Sequence, residues 1–313
     1  MKRHTVMTPY LVGEVHYYST EIDGELVLFD TGPPTPEGLA VLQAAVDLKR
    51  LKYLFVTHCH VDHYGLAAHI QKNSAARILF PRRDVLRLRR IEQWKEGVYR
   101  LLLEAGFDDT FCKKLRSIFE SPQMLPPCPE EYGIVEESDL PAKLGISVLS
   151  CPSHSQSDLV YLHGGCAVTG DLLLRDIFQS PSLDLDAETF AGRFRNYDAY
   201  CSSLLKLASL RDYKILPAHR EYVEGVDRTL FFYVSKLLER AGQVKRFAEV
   251  ELVSQVVKQI FGDTLLNPFV VYLKASEIYF MRDFLAEPQK LKLSLEKSGL
   301  FDQVKELYES VAG

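Results

Sequence analysis

LKYLFVTHCHVDHYG, residues 51–65, changes character at Thr57. Leu51 to Val56 is a short apolar run bounded by polar residues, the pattern of a buried strand. It passes directly into His58, Cys59, His60, Val61, Asp62 and His63, and a helix of about 8 to 10 residues is expected from Tyr64. Three of the nine histidines thus fall within six residues, with an aspartate among them. Imidazole and carboxylate are the usual nitrogen and oxygen ligands of zinc and similar ions. In a tight turn His58 and His60, two apart, can face one metal, while Asp62 and His63 face a second. A metal-free polar loop is a poor account of four ligand-type residues at this spacing behind a buried strand. Such a position also joins a rigid scaffold to solvent.

Two ligands per metal are too few, because a hydrolytic site needs about three protein ligands and an open position for water. The chain offers three more, each beside a predicted strand. His154 stands in Cys151-Pro-Ser-His-Ser, ahead of a strand at Leu159. Asp171 follows Val168-Thr169-Gly170, and His219 follows Leu216-Pro217-Ala218. Alone, each histidine reads as a surface or satisfied core residue, and the aspartate as a turn residue or helix cap. The need of the first four for partners favours ligation, and the two oxygens of Asp171 let it bridge both metals. Asp30, closing the strand Glu25–Phe29, is expected to orient the ligand loop more than to cap a turn. Cys59 lies inside the cluster and is expected to point away as a structural residue. His4, His16, His69 and His163 are not expected to be ligands. Packing or surface roles are expected for Arg193, Arg195, Tyr197 and Tyr222 over substrate contact.

Further strands are expected at Tyr10–Tyr18 and, through the turn Asp23-Gly24, at Glu25–Phe29. Thr35 opens a helix with Glu37 in its first turn. Leu88, Ile91, Trp94 and Val98 recur at helical spacing, with Arg87, Arg90, Glu92 and Lys95 between them. Pro122, Pro126, Pro127 and Pro129 then enforce a loop, so residues 83–131 read as an inserted helical arm near the site. Strands return at Ile134–Val135, Ile146–Leu149, Leu159–Leu162, Ala167–Thr169 and Tyr213–Leu216. Residues 191–209 read as a helix, and from Val226 the pattern is helical to the end. The expected division is a metal-binding domain at 1–225 and a helical subdomain at 226–313. Leu230, Phe231, Val234 and Leu237 give that subdomain a buried face, which could pack on the first domain, cover the site or form a homodimer.

A net charge of −5 and the lack of a basic tract argue against nucleic acid as a partner. No apolar run approaches the roughly 20 residues of a membrane span. MKRHTVMTPY has no secretory pattern, so a cytoplasmic protein is expected. The six scattered cysteines contain no CxxC pair and read as reduced thiols.

The set resembles the metallo-β-lactamase fold superfamily. Residues 58–63 match its HxHxDH motif completely, and His154, Asp171, His219 and Asp30 stand in the family's order and contexts, over roughly residues 8–222. The resemblance implies an α/β fold, a four-layer αββα sandwich with the site along one edge of the sheets. It implies two divalent transition-metal ions, zinc first, with iron or manganese as alternatives. It places His58, His60 and His154 on one metal, Asp62, His63 and His219 on the other, and Asp171 between them. Ser153 and Ala218 replace frequent glycines of the pattern, changes expected to spare ligation and to alter the pocket's width. The implied activity is hydrolysis of a small-molecule ester, thioester or lactone, as in the glyoxalase II-like and lactonase branches. The metals would activate water, and Asp62 would steer it and shuttle its proton. Alternatives are a phosphodiesterase, an iron-dependent persulfide-dioxygenase-like oxidoreductase and a ligand-binding regulator.

Overall fold

Strand periodicity and turn chemistry build two sheets in the computed structural model, which describes residues 1–262 and 267–313. The first sheet has the order β1 (Lys2–Met7), β2 (Glu14–Ile22), β3 (Glu25–Phe29), β4 (Leu51–Phe55), β5 (Arg77–Phe80) and β6 (Gly133–Ile134). Strands β1 to β3 are antiparallel neighbours, and β3 to β6 run parallel. The second sheet runs β10 (Lys214–Pro217), β9 (Cys166–Gly170), β8 (Leu159–His163), β7 (Ser147–Ser150). Here β10 and β9 are parallel, and β8 opposes both of its neighbours. The β2–β3 hairpin turns at Asp23-Gly24, where both residues have positive φ, as a two-residue hairpin loop requires.

The start of the chain differs from the sequence expectation. Residues 10–13 are not strand: Thr8 Oγ1 donates 2.5 Å to the Gly13 carbonyl and closes a turn, so β2 begins at Glu14. The polar stretch before that turn forms β1, paired with β2 from Lys2↔Ser19 to Met7↔Glu14. Strong cross-strand pairing offsets its weak strand composition.

The inner faces of the sheets meet in a core containing Tyr18, Val27, Phe29 and Phe55 from the first and Leu159, Tyr161, Val168 and Leu216 from the second. The outer face of the first sheet is covered by α1 (Pro36–Ala45), α2 (Val61–Tyr64), α3 (Ala67–Asn73) and α4 (Arg82–Arg89) through Leu42, Tyr64, Ile70 and Val85. Helices α5 (Ile91–Glu104) and α6 (Asp109–Phe119) complete the inserted arm, and α7 (Leu140–Lys143) precedes β7. The outer face of the second sheet carries α8 (Asn196–Ala208) and, on it, α9 (Val226–Lys245), α10 (Val253–Phe261), α11 (Pro268–Ala286), α12 (Pro288–Ser298) and α13 (Phe301–Ala312). The layers are helices, sheet, sheet, helices. Residues 263–266, part of the stretch read as helical, lie outside the described residues.

Two helix boundaries correct the sequence reading. The helix expected from Tyr64 is two pieces, so Asp62 and His63 already lie in a helical turn. A Cβ on Gly65, between the two pieces, would stand 2.4 Å from Pro34 and from the Val61 carbonyl, so the chain is closely packed there. The helix expected at 191–209 starts only at Asn196, because Arg193 bridges to Leu185 in an extended segment. Among the described residues no helix is long and apolar enough to cross a membrane.

Candidate metal centre

Strand direction gathers the candidate ligands. β7, β9 and β10 run the same way, so His154, Asp171 and His219 emerge from one edge of the second sheet. His58–His63 follow β4, and Asp30 follows the parallel strand β3. The edges are tied by the Leu159 amide donating to the Thr57 carbonyl (3.0 Å) and the Tyr18 hydroxyl donating to the Pro217 carbonyl (2.7 Å). The side chains of His58, His60, His154 and Asp171 bring ligand atoms within 4.8 Å of one another, and Asp62, His63 and His219 do the same. Asp171 joins the two groups. Its Oδ2 lies 3.3 Å from His154 Nε2, and its Oδ1 lies 3.4 Å from His63 Nε2 and 3.3 Å from His219 Nε2.

The imidazoles are oriented from behind. His63 Nδ1 donates to Asp30 Oδ2 (3.0 Å), His154 Nδ1 to the Ser180 carbonyl (2.9 Å), and His219 Nδ1 to the Glu14 carbonyl (2.6 Å). These partners accept hydrogen bonds only, so each ring turns Nε2 into the site. Asp30 also takes the amide (2.7 Å) and hydroxyl (2.8 Å) of Thr57, whose oxygen accepts from His58 Nδ1 at 3.2 Å. One buried carboxylate thus touches both ends of the ligand turn. His16 does not face the site. It grips the His219 loop through its amide to the Ala218 carbonyl (2.6 Å) and its Nε2 to the Arg220 carbonyl (2.8 Å).

Charge divides the site. Burial works against charge on His63 and His219, but the Asp171 and Asp62 carboxylates outweigh it. They hold His63 well above its ordinary pKa and push His219 up to about 10. Burial and neighbouring histidines keep His58 well below its ordinary value, and burial, His154 and Arg87 bring His60 down to about 3. Against the cost of burial, His63 and His219 draw Asp62 down to about 2. His58 and His60 are therefore held neutral, while the carboxylates around His63 and His219 favour positive charge there.

Three buried atoms that converge here, His63 Nε2, His219 Nε2 and Asp171 Oδ1, have no hydrogen-bond partner. Buried polar atoms are rarely left so, and a bound cation is one of the few ways to satisfy them together. Cys59 turns away into the apolar cluster with Leu54, Tyr64 and Phe80. Arg193 forms a two-pronged pair with Asp283 (2.8 Å each), Tyr197 donates to the Glu287 carbonyl (2.9 Å), and neither contact involves the site. Sequence reasoning missed Thr57, Asp84, Arg87 and Ser180. Thr57 abuts the motif and could have been suspected. Arg87 stood only as one of the charged residues between the apolar positions of a predicted helix, yet its side chain is 15% exposed and turned inward.

The sequence profile of the metallo-beta-lactamase superfamily matches residues 12–219. Among solved structures, a metallo-beta-lactamase family protein from Thermus thermophilus superposes with a TM-score of 0.70 at 20% identity, covering 90% of this chain and 93% of that one. A beta-lactamase domain protein from Burkholderia ambifaria gives 0.67 at 18% identity, covering 92% and 86%. Such coverage is reached only by including helices after Val226, so those helices are part of the shared fold. No curated protein sequence matches the chain.

Proposed function

The chain belongs to the metallo-beta-lactamase superfamily, and we propose that it is a hydrolase that holds two divalent transition-metal ions, zinc first, and cleaves a small-molecule ester, thioester or lactone. The observation that carries the dinuclear reading is Asp171, with one oxygen 3.3 Å from His154 and the other 3.4 Å from His63 and 3.3 Å from His219. His58, His60 and His154 would hold one ion, and Asp62, His63 and His219 the other. The donor set fits, since imidazole and carboxylate suit zinc, iron and manganese.

Such ions supply Lewis acidity and bring the pKa of bound water down to roughly 7. The protein's own part is orientation and proton handling. Asp62 Oδ2 lies 3.4 Å from His219 Nε2 and its Oδ1 3.9 Å from His63 Nε2, so Oδ1 is the freer oxygen. In this reading Asp62 Oδ1 takes the proton of the attacking water and passes it to the leaving group. The ester or thioester assignment draws on the resemblance to the glyoxalase II-like and lactonase branches, and the net charge of −5 agrees with a small-molecule substrate.

The test is metal analysis followed by a substrate panel. Two metal equivalents and turnover of an ester, thioester or lactone are expected. Turnover of bis(p-nitrophenyl) phosphate alone would replace the substrate assignment with a phosphodiester. Oxygen uptake on a persulfide by iron-loaded protein would replace hydrolysis altogether.

A further inference from the structure

The inserted arm reaches the ligand turn at Cys59. Asp84 and Arg87 lie on α4 and pair with each other at 2.9 Å. Asp84 Oδ2 accepts from the Cys59 amide at 2.7 Å, and Arg87 Nη2 donates to the Cys59 carbonyl at 2.8 Å. Both polar groups of Cys59 are therefore held by one ion pair, and Cys59 separates His58 from His60. His60 has the greater need of this support. Among the described residues the hydrogen-bond and ring-stacking partners of its imidazole are His58 and His154, its Nδ1 standing 3.1 Å from the Nε2 of each. His63 and His219, by contrast, are oriented from the sandwich strands, by Asp30 and the Glu14 carbonyl.

The arm also touches the His154 loop. Asp184 accepts from Trp94 Nε1 on α5 and, at 2.7 Å, from Gln156 Nε2, two residues beyond His154. A buried ion pair is a poor stabiliser compared with apolar residues of the same volume, so packing alone is a weak reason for Asp84 and Arg87.

We propose that Asp84 and Arg87 are positioning residues for the His58–His60–His154 metal position, clamping the backbone on both sides of Cys59 so that the rings of His58 and His60 face one ion. The inference rests on the dinuclear reading above. It makes the two positions unequal, one depending on the inserted arm and the other on the sandwich.

The experiment titrates metal-free full-length protein with Co(II), following ligand-field absorption and the heat of binding, with thermal unfolding of the metal-free forms alongside. The charge-neutral variant Asp84→Asn/Arg87→Met should keep one equivalent at wild-type affinity and bind the other about 10–100-fold more weakly, the range seen when partners of metal ligands are removed. Its one-equivalent spectrum should match that of His154→Ala, and Arg87→Lys should recover part of the loss. The proposal is overturned if the double variant binds both equivalents like wild type. It is also overturned if both equivalents weaken alike in step with a fall in unfolding temperature, which would leave the pair a scaffold contact. Wild-type protein that takes up no metal would overturn the dinuclear reading as well.

Discussion

Asp171 is the side chain on which the two halves of the site depend. An asparagine there keeps the shape but replaces one oxygen with a donor, which cannot face both imidazole groups as an acceptor. Asp171→Asn is therefore expected to lower bound metal from two equivalents to one and to slow hydrolysis by about 10²-fold or more, since even partners behind a ligand cost 10–100-fold. Elemental analysis with steady-state rates checks this, and an unchanged metal content would remove Asp171 from the bridging place proposed for it. On the edge strand β1 of the first sheet, His4 is buried, stacked on Tyr17 and 2.8 Å from Ser19 Oγ. Burial, with help from Lys2, lowers its pKa from 6.5 to about 4. The unfolded chain takes up this proton below pH 6.5 and the folded chain resists until about pH 4. The stability tied to His4 is thus present above pH 6.5 and lost as pH falls toward 4, by at most about 3 kcal/mol. For metal-free protein, the stability of His4→Gln should fall less steeply than wild type across that window in denaturant titrations. Parallel curves would contradict the assignment.

Elements bring such residues to the site through a few backbone devices. Gly170 ends β9 at φ +52°, and a Cβ there would lie 2.9 Å from Thr57 Oγ1 and 3.1 Å from Thr57 Cβ. Thr57 cannot yield freely, because its hydroxyl donates to Asp30. Gly170→Ala should therefore cost about 1–3 kcal/mol in urea unfolding and weaken metal binding, through both backbone strain and displacement of the ligand turn. A variant as stable as wild type would show that the turn relaxes around the methyl group. The same elements show what a linear pattern reveals. The hairpin through Asp23-Gly24, the helix capped by Thr35 and the helix from Val226 were legible, because turn chemistry and apolar periodicity are local. β1 was not legible, because its opening residues Lys2, Arg3 and His4 carry little strand signal and the pairing with β2 supplies the stability.

On the scale of the whole molecule, the helices after Val226 do not form a detached unit. Leu230, Val234 and Leu237 of α9 share one buried cluster with Tyr200 and Leu204 of α8 and with Val160, Ala167 and Ile215 of the second sheet. The same region holds the loop behind His154, since Ser180 Oγ donates to Glu277 (2.8 Å) and the Leu183 amide to Ser276 Oγ (2.9 Å) on α11. A fragment ending at residue 225 is expected to lack a cooperative thermal transition, and in the full chain Leu237→Ala should cost about 2–5 kcal/mol. Circular dichroism decides the first, and a folded, metal-binding fragment would show that the sandwich stands alone. The sequence by itself determined which residues are candidate ligands, their order and their seats at strand ends. Those are matters of residue chemistry and short-range periodicity. Only the tertiary structure decided that Asp171 presents its two oxygens to different groups, that Asp30 reaches His63 directly and His58 through Thr57, and that Arg87 turns inward to Cys59. Direction and burial belong to contacts between segments far apart in the chain, and no local pattern records them.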